Sequence, residues 1–62
     1  MIGFETLNNR YYVDLAEKKV VGGKIGNEFK KYEKAIIIVG RPAEFFFKDS
    51  APMRTSTVQN YI

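Results

Sequence analysis

Hydrophobic and polar side chains alternate over several short stretches of this chain. The first clear case places Tyr11, Val13 and Leu15 at every second position, with polar or amphipathic residues between them. Side chains two residues apart lie on the same face of a strand, so this alternation predicts a β-strand with one buried face. A second apolar stretch follows a polar interruption and ends at Gly22-Gly23, which predicts a hairpin over residues 10–21.

The segment just before this hairpin is also β-like in its pattern. Residues 4–7 are expected to lengthen the first strand of the hairpin. Asn8-Asn9 would then mark a bulge, because Asn tolerates left-handed backbone angles.

The second half of the chain contains three further strand signals. Residues 36–39 are an uninterrupted run of β-branched side chains, which fit a pleated sheet better than a helix. Residues 43–47 alternate again: Ala43, Phe45 and Phe47 fall on one face of the predicted strand, and this face is expected to point inward. Residues 53–61 form a Thr-rich alternating stretch that is typical of a strand.

Residues 24–35 are ambiguous. Ile25, Phe29 and Tyr32 have the spacing of a helical stripe, and Asn27 suits the N-cap position of a helix. The segment nevertheless leads into a β-branched run without a helix stop signal. Both a bulged strand and one short helical turn are compatible with the pattern, and we favour extended structure.

These elements predict a single, mainly β domain over residues 1–62. About five short strands separated by turn residues suit either a small curled antiparallel sheet or an SH3-like or OB-like barrel, because closing a sheet removes its exposed edges. The apolar positions at the predicted inward sites form the expected core: Phe4, Tyr11, Val13, Leu15, Val20, Phe29, Ile36, Ile38, Phe45, Phe47 and Val58.

Composition narrows the function classes. The chain has 62 residues and neither cysteine nor histidine, which excludes disulfides, nucleophile–histidine pairs and the usual zinc sites. A domain of this size has little room for a water-excluding pocket beside its core, so we expect no enzyme, no cofactor and no small-molecule substrate. No apolar run is long enough to span a membrane, and no secretory signal is visible, so a cytoplasmic location is expected.

Two short polar motifs resemble those of a group of small proteins from phages and their bacterial hosts. They are Thr6-x-Asn8-Asn9-x-Tyr11 near the start and Thr55-Ser56-x-Val58 near the end. The resemblance implies a small β-rich accessory domain and brings no catalytic residue with it. Thr and Ser are good cross-strand partners, so we expect Thr6 and Asn8 to lie near Thr55 and Ser56, where the first and last strands meet.

The favoured functional hypothesis is a structural or protein–protein interaction module that self-associates. If Phe45 and Phe47 point inward, Phe46 points outward, and the same alternation places Ile37 and Val39 outside. An exposed apolar patch of this kind marks an interface more often than chance, unless another segment of the chain covers it. Ile37, Val39 and Phe46 are therefore the candidate interface residues.

The alternative hypothesis is weak binding of single-stranded nucleic acid. The net charge of +3 permits attraction to an anionic partner, and basic and aromatic residues interleave at three places along the chain. Tyrosine rings would stack on bases while lysines and arginines follow the phosphates. The candidate contacts are Arg10, Tyr12, Lys30, Lys31, Tyr32, Arg41, Lys48 and Arg54.

Overall fold

The computed structural model describes all 62 residues and consists of strands and turns, without a helix. In chain order the strands are β1 (Ile2–Thr6), β2 (Arg10–Asp14), β3 (Lys19–Gly22), β4 (Gly26–Lys31), β5 (Lys34–Ile36), β6 (Pro42–Phe46) and β7 (Met53–Tyr61). The mainly β prediction is confirmed, with seven strands in place of about five. The extended structure favoured for residues 24–35 is also confirmed, and the helical turn is wrong.

The strands form one antiparallel sheet in the order β4-β3-β2-β1-β7-β6-β5. Since β4 and β5 do not pair, the sheet is curled but not closed into a barrel, so the curled-sheet alternative is the one observed. Tyr32 and Glu33 join these two edge strands. The Tyr32 N–H donates to the Lys18 carbonyl at 2.9 Å, and the Glu33 N–H donates to the Phe46 carbonyl at 2.7 Å. The connection therefore ties the two ends of the sheet together.

The hairpin predicted over residues 10–21 is confirmed by the pairing of β2 with β3. Asp14 stabilises its turn, because its carboxylate accepts hydrogen bonds from the N–H groups of Ala16 and Glu17 at 3.1 and 3.0 Å. The bulge predicted at Asn8-Asn9 is wrong. Residues 7–9 instead form the turn between β1 and β2, which are separate strands paired with each other.

A stack of aromatic rings occupies the centre of the curled sheet. The Phe4 ring lies between Tyr11 and Phe45, with centroid distances of 5.2 and 6.3 Å, and the Tyr32 ring meets Phe45 edge-on at 5.5 Å. The buried cluster consists of Phe4, Tyr11, Val13, Val20, Tyr32, Ala43, Phe45 and Val58. Six of these eight residues were predicted as core from the sequence, Ala43 was predicted only to share the inward face of its strand, and Tyr32 was not predicted.

Five residues predicted for the core lie elsewhere. Leu15 begins the turn after β2 and is 57% exposed, Phe29 on the edge strand β4 is 44% exposed, and Ile38 is 49% exposed. Phe47 is partly buried against the core, and Ile36 is partly buried outside it. Side chains in a turn or on an edge strand stay exposed because no other strand packs over them.

The alternation predicted over residues 36–39 is wrong for Ile36, Ile37 and Ile38, whereas Val39 is exposed as predicted. Ala35 lies opposite the buried Phe45, and Ile36 lies opposite Glu44, so Ile36 faces the outer surface of the sheet. The strand ends there, and Ile37 packs against the core, although it was predicted to point outward. A strand that ends after three residues cannot carry a period-two pattern into the next segment.

Hydroxyl groups close the seam between the first and last strands. The Ser56 hydroxyl donates to Thr6 Oγ1 at 2.8 Å, which confirms the predicted proximity of these two residues. Thr6 Oγ1 also accepts the Asn9 N–H at 3.1 Å. On the other side of β7, Thr55 Oγ1 accepts the Ala43 N–H at 3.0 Å. Thr6 and Thr55 are buried, so these hydrogen bonds satisfy polar groups that water cannot reach.

Candidate interaction surfaces

The outer side of β5, β6 and β7 carries apolar side chains around one ion pair. Cross-strand pairing places Glu44 between Ile36 and Arg54, and Arg54 Nη2 lies 3.6 Å from Glu44 Oε2. Next to this pair is a groove of about 320 Å³, lined by Ile36, Ile38, Arg41, Pro42, Glu44 and Arg54. We call the apolar part of this surface, formed by Ile36, Ile38, Pro42 and Phe46, the outer apolar face.

A second, shallow depression adjoins this groove. It has a volume of about 500 Å³ and shares Glu44 and Arg54 with the first groove. Its remaining lining residues are Phe46, Pro52 and Met53. The two depressions are therefore one continuous surface, with the ion pair at its centre and apolar side chains on both sides.

The three candidate interface residues do not form one patch. Phe46 belongs to the outer apolar face, whereas Ile37 lines a separate groove that also contains Ile2 and Tyr61. Val39 lies in the turn before β6 and is exposed. Ile36 and Ile38 line the groove beside Phe46 in place of Ile37 and Val39, and only the position at which β5 ends could have revealed this.

Lysines and aromatic rings lie on both faces of the edge strand β4. The Lys19 ammonium lies 4.8 Å from the Phe29 ring centroid, and the Lys30 ammonium lies 4.1 Å from that of Phe47. All six residues of β4 are exposed. The only ion pairs in the protein involve Arg10 and Arg54, so no lysine ammonium lies within 4.0 Å of a carboxylate. These lysines keep their charge available to a partner.

A groove of about 440 Å³ lies at one end of β4. Its lining residues are Lys30, Lys31, Phe47, Lys48, Asp49 and Ser50. β4 supplies the first two lysines, and the turn after β6 supplies the other four residues. The fold thus brings Lys30 and Lys31 close to Lys48, which is distant from them in the sequence.

The other candidate nucleic-acid contacts are dispersed. Arg10 on β2 pairs with Glu5, with Nε 3.5 Å from Oε2, and Tyr12 is partly exposed on the same strand. Arg41 and Arg54 line the groove beside the outer apolar face, on the other half of the sheet. The exposed members of the candidate set therefore lie in three separate places: the groove beside β4, strand β2, and the groove beside the outer apolar face.

Tyr32 is unsuited to the stacking role predicted for it. Its side chain is buried, and its ring packs edge-on against Phe45, so no ring face is free for a base. Burial raises the pKa of the Tyr32 hydroxyl above its usual value of 10.0, and the nearby Asp14 carboxylate raises it further. Tyr32 is a core residue at the connection between the two edge strands.

No part of the protein brings three or more metal-ligating side chains together. It also contains no helix long and apolar enough to cross a membrane. Comparisons of the chain with protein families, curated proteins and solved structures found no match. The resemblance to small phage and prophage proteins is untested by these comparisons and stays a prediction.

Proposed function

We propose that this protein is a non-enzymatic interaction module that self-associates through the outer apolar face. The observation that supports the proposal is the solvent-side position of Ile36, Ile38 and Phe46 around the Glu44–Arg54 ion pair. Burying apolar side chains between two molecules is favourable in rough proportion to the area removed from water. The proposal includes a cytoplasmic location, which the cysteine-free composition fits.

The charges on this face favour a second copy of the chain as the partner. A two-fold interface brings the same patch of both molecules together, so each patch must complement itself. Glu44 and Arg54 are neighbours on adjacent strands, so a two-fold axis near them would place each Arg54 close to the partner's Glu44. Opposite charges at matching positions set the orientation of such a dimer.

The small size of the domain adds a thermodynamic reason for association. A domain of about 60 residues buries only about 60% of its unfolded surface, so its stability is marginal. Association stabilises the folded state by mass action, because only folded molecules bind each other. We therefore expect the apparent stability to rise with protein concentration.

Sedimentation equilibrium across a wide concentration range tests this proposal. We expect a reversible dimer, with a dissociation constant raised at least tenfold by Phe46→Ser and by Ile38→Ser. Ile38 is 49% exposed, so its substitution changes the surface with little effect on the core. The matched control is Leu7→Ser in the turn between β1 and β2, because Leu7 is an exposed apolar residue outside the face.

The proposal is wrong if the wild-type protein stays monomeric at millimolar concentration. It is equally wrong if Leu7→Ser weakens association as much as Ile38→Ser does, since the contact would then be nonspecific. Circular dichroism of each variant shows whether it is folded, which matters most for the partly buried Phe46.

A further inference from the structure

We infer that the surface along β4 binds single-stranded nucleic acid, independently of the outer apolar face. We call it the basic–aromatic edge. Lys19, Phe29 and Lys31 lie on one face of this edge, Lys30 and Phe47 lie on the other, and Lys48 lines the groove with Lys30 and Lys31. Three observations support the inference: an uncompensated cross-strand pair of lysines, two aromatic rings beneath ammonium groups, and a groove in which three lysines meet.

The pairing of β3 with β4 places two like charges directly opposite each other. Lys19 and Lys31 are cross-strand partners, and neither forms an ion pair. Like charges in this position destabilise a sheet, so the arrangement costs stability that a bound anion would restore. On the β2 side, Asp14 is the cross-strand partner of Lys19. Its carboxylate accepts hydrogen bonds from two N–H groups of its own turn and forms no ion pair with Lys19.

The remaining carboxylates near this edge belong to Glu28, to Asp49 and to Glu33, which lies two residues after Lys31. Glu28 lies on β4 itself, and Asp49 lines the groove beside Lys48. None of the three forms an ion pair with a lysine. The ammonium groups of the four lysines of the edge therefore have no ion-pair partner and are free to meet the phosphates of a nucleic acid.

The aromatic rings distinguish a nucleic acid from other polyanions. Phe29 is 44% exposed, with Lys19 over its ring, and Phe47 lies under Lys30. A base can stack on such a ring while the adjacent lysine meets its phosphate. Bases in a duplex are already stacked, so the arrangement fits a single strand.

Fluorescence anisotropy with labelled oligothymidylate of about 12 nucleotides tests the inference. We expect binding that weakens roughly twentyfold when salt rises from about 50 to about 200 mM, as the release of counterions from roughly three phosphates predicts. Phe29→Leu keeps an apolar side chain but removes the ring, and we expect it to weaken binding roughly fivefold or more.

Lys31→Gln and Lys24→Gln form a matched pair of variants. Each removes one positive charge, but Lys24 lies in the turn before β4, where its ammonium donates to the Arg54 carbonyl at 3.1 Å. We expect Lys31→Gln to weaken binding several-fold and Lys24→Gln to change it little. Lys31→Gln also removes the repulsion between this side chain and Lys19, so we expect the variant to be at least as stable as the wild type. If its unfolding free energy confirms this, a loss of binding is not caused by unfolding.

Competition experiments distinguish single-stranded nucleic acid from other anionic partners. Equal affinity for a duplex of the same length, for polyglutamate or for vesicles containing phosphatidylserine would overturn the inference, because none of these offers an unstacked base. Equal loss of binding in Lys31→Gln and Lys24→Gln would also overturn it. Phe46→Ser is expected to leave oligonucleotide affinity unchanged, which separates this inference from the proposed self-association.

Discussion

Strands β2 and β4 are short segments with similar local sequence character but opposite surroundings. Each contains aromatic and basic residues, yet Tyr11 and Val13 of β2 are fully buried, whereas no residue of β4 is buried. β2 lies between β1 and β3, whereas β4 has a neighbour only on the β3 side. Position in the sheet therefore decides whether an aromatic ring packs in the core or faces solvent.

The comparison separates residues that hold the fold from residues that are free to bind. Side chains of the central strands contribute packing, and removing them leaves cavities. β4 is held mainly by its backbone hydrogen bonds to β3, so its side chains can serve a partner at little cost to stability. The predictions below test this division, beginning with the largest expected effect.

The largest contrast is expected between two phenylalanines. Phe45 is fully buried and contacts the rings of Phe4 and Tyr32, so Phe45→Ala is expected to cost about 3–5 kcal/mol. Phe29 lies on β4, and Phe29→Ala is expected to cost about 1 kcal/mol or less. Urea denaturation followed by circular dichroism measures both. Similar losses in the two variants would show that β4 packs as a central strand does.

A smaller difference in stability is expected between alanine variants of two glycines that lie opposite each other on β3 and β4. Gly22 and Gly26 are cross-strand partners with φ angles of 105° and 101°, a region in which alanine is strained by roughly 1–3 kcal/mol. A Cβ on Gly22 would also collide with the Arg10 carbonyl oxygen of β2, whereas a Cβ on Gly26 would meet nothing within 4 Å.

We therefore expect Gly22→Ala to be more destabilising than Gly26→Ala by at least about 1 kcal/mol, since β2 and β3 would have to separate. The same urea experiment measures this difference. If both variants lost the same stability, the backbone near Gly22 could shift to accommodate a Cβ, and the packing of β2 against β3 would be less rigid than its central position indicates.

The smallest expected effect concerns the connection between the two edge strands. The pKa of Tyr32 is raised by burial and by Asp14, so the folded state holds the phenolic proton more tightly than the unfolded state does. The resulting stability is present below about pH 10 and is lost as the pH rises through the folded-state pKa. Tyr32→Phe has no ionisable group there and is expected to lose less stability between about pH 9 and about pH 11.

Unfolding free energies of the two proteins, measured in parallel across this pH range, test the prediction. The other tyrosines are common to both proteins, so the difference between them isolates Tyr32. Identical pH profiles would mean that Tyr32 ionises as easily when folded as when unfolded, and that the connection is open to solvent.

Local pattern was sufficient to predict several features of the fold. Period-two alternation identified Tyr11, Val13 and Phe45 as core residues, because side chains two apart share a face wherever a strand is regular. Turn residues placed the hairpin over residues 10–21, since turn chemistry depends on a few adjacent residues. The proximity of the Thr6 and Ser56 hydroxyls also followed from residue type, once the first and last strands were expected to pair.

The candidate surfaces were only partly predictable. Lys30, Lys31 and Lys48 were recognised as candidates from their types, but their meeting in one groove depends on the turn after β6 lying beside β4. Phe29 was assigned to the core because nothing in its local sequence reveals that β4 is an edge strand. Strand order thus decides which basic and aromatic residues form one surface.

Residue types and their spacing were enough to predict that the chain is β-rich, where most of its turns fall and which residues are apolar enough to form a core. Three features depend on the arrangement of the strands: Tyr32 is buried, Ile36 and Ile38 face outward while Ile37 packs against the core, and β4 is wholly exposed. The physical reason is that burial depends on neighbours distant in the sequence. Local alternation says which side chains share a face, but only the strands packed against that face determine whether it is covered.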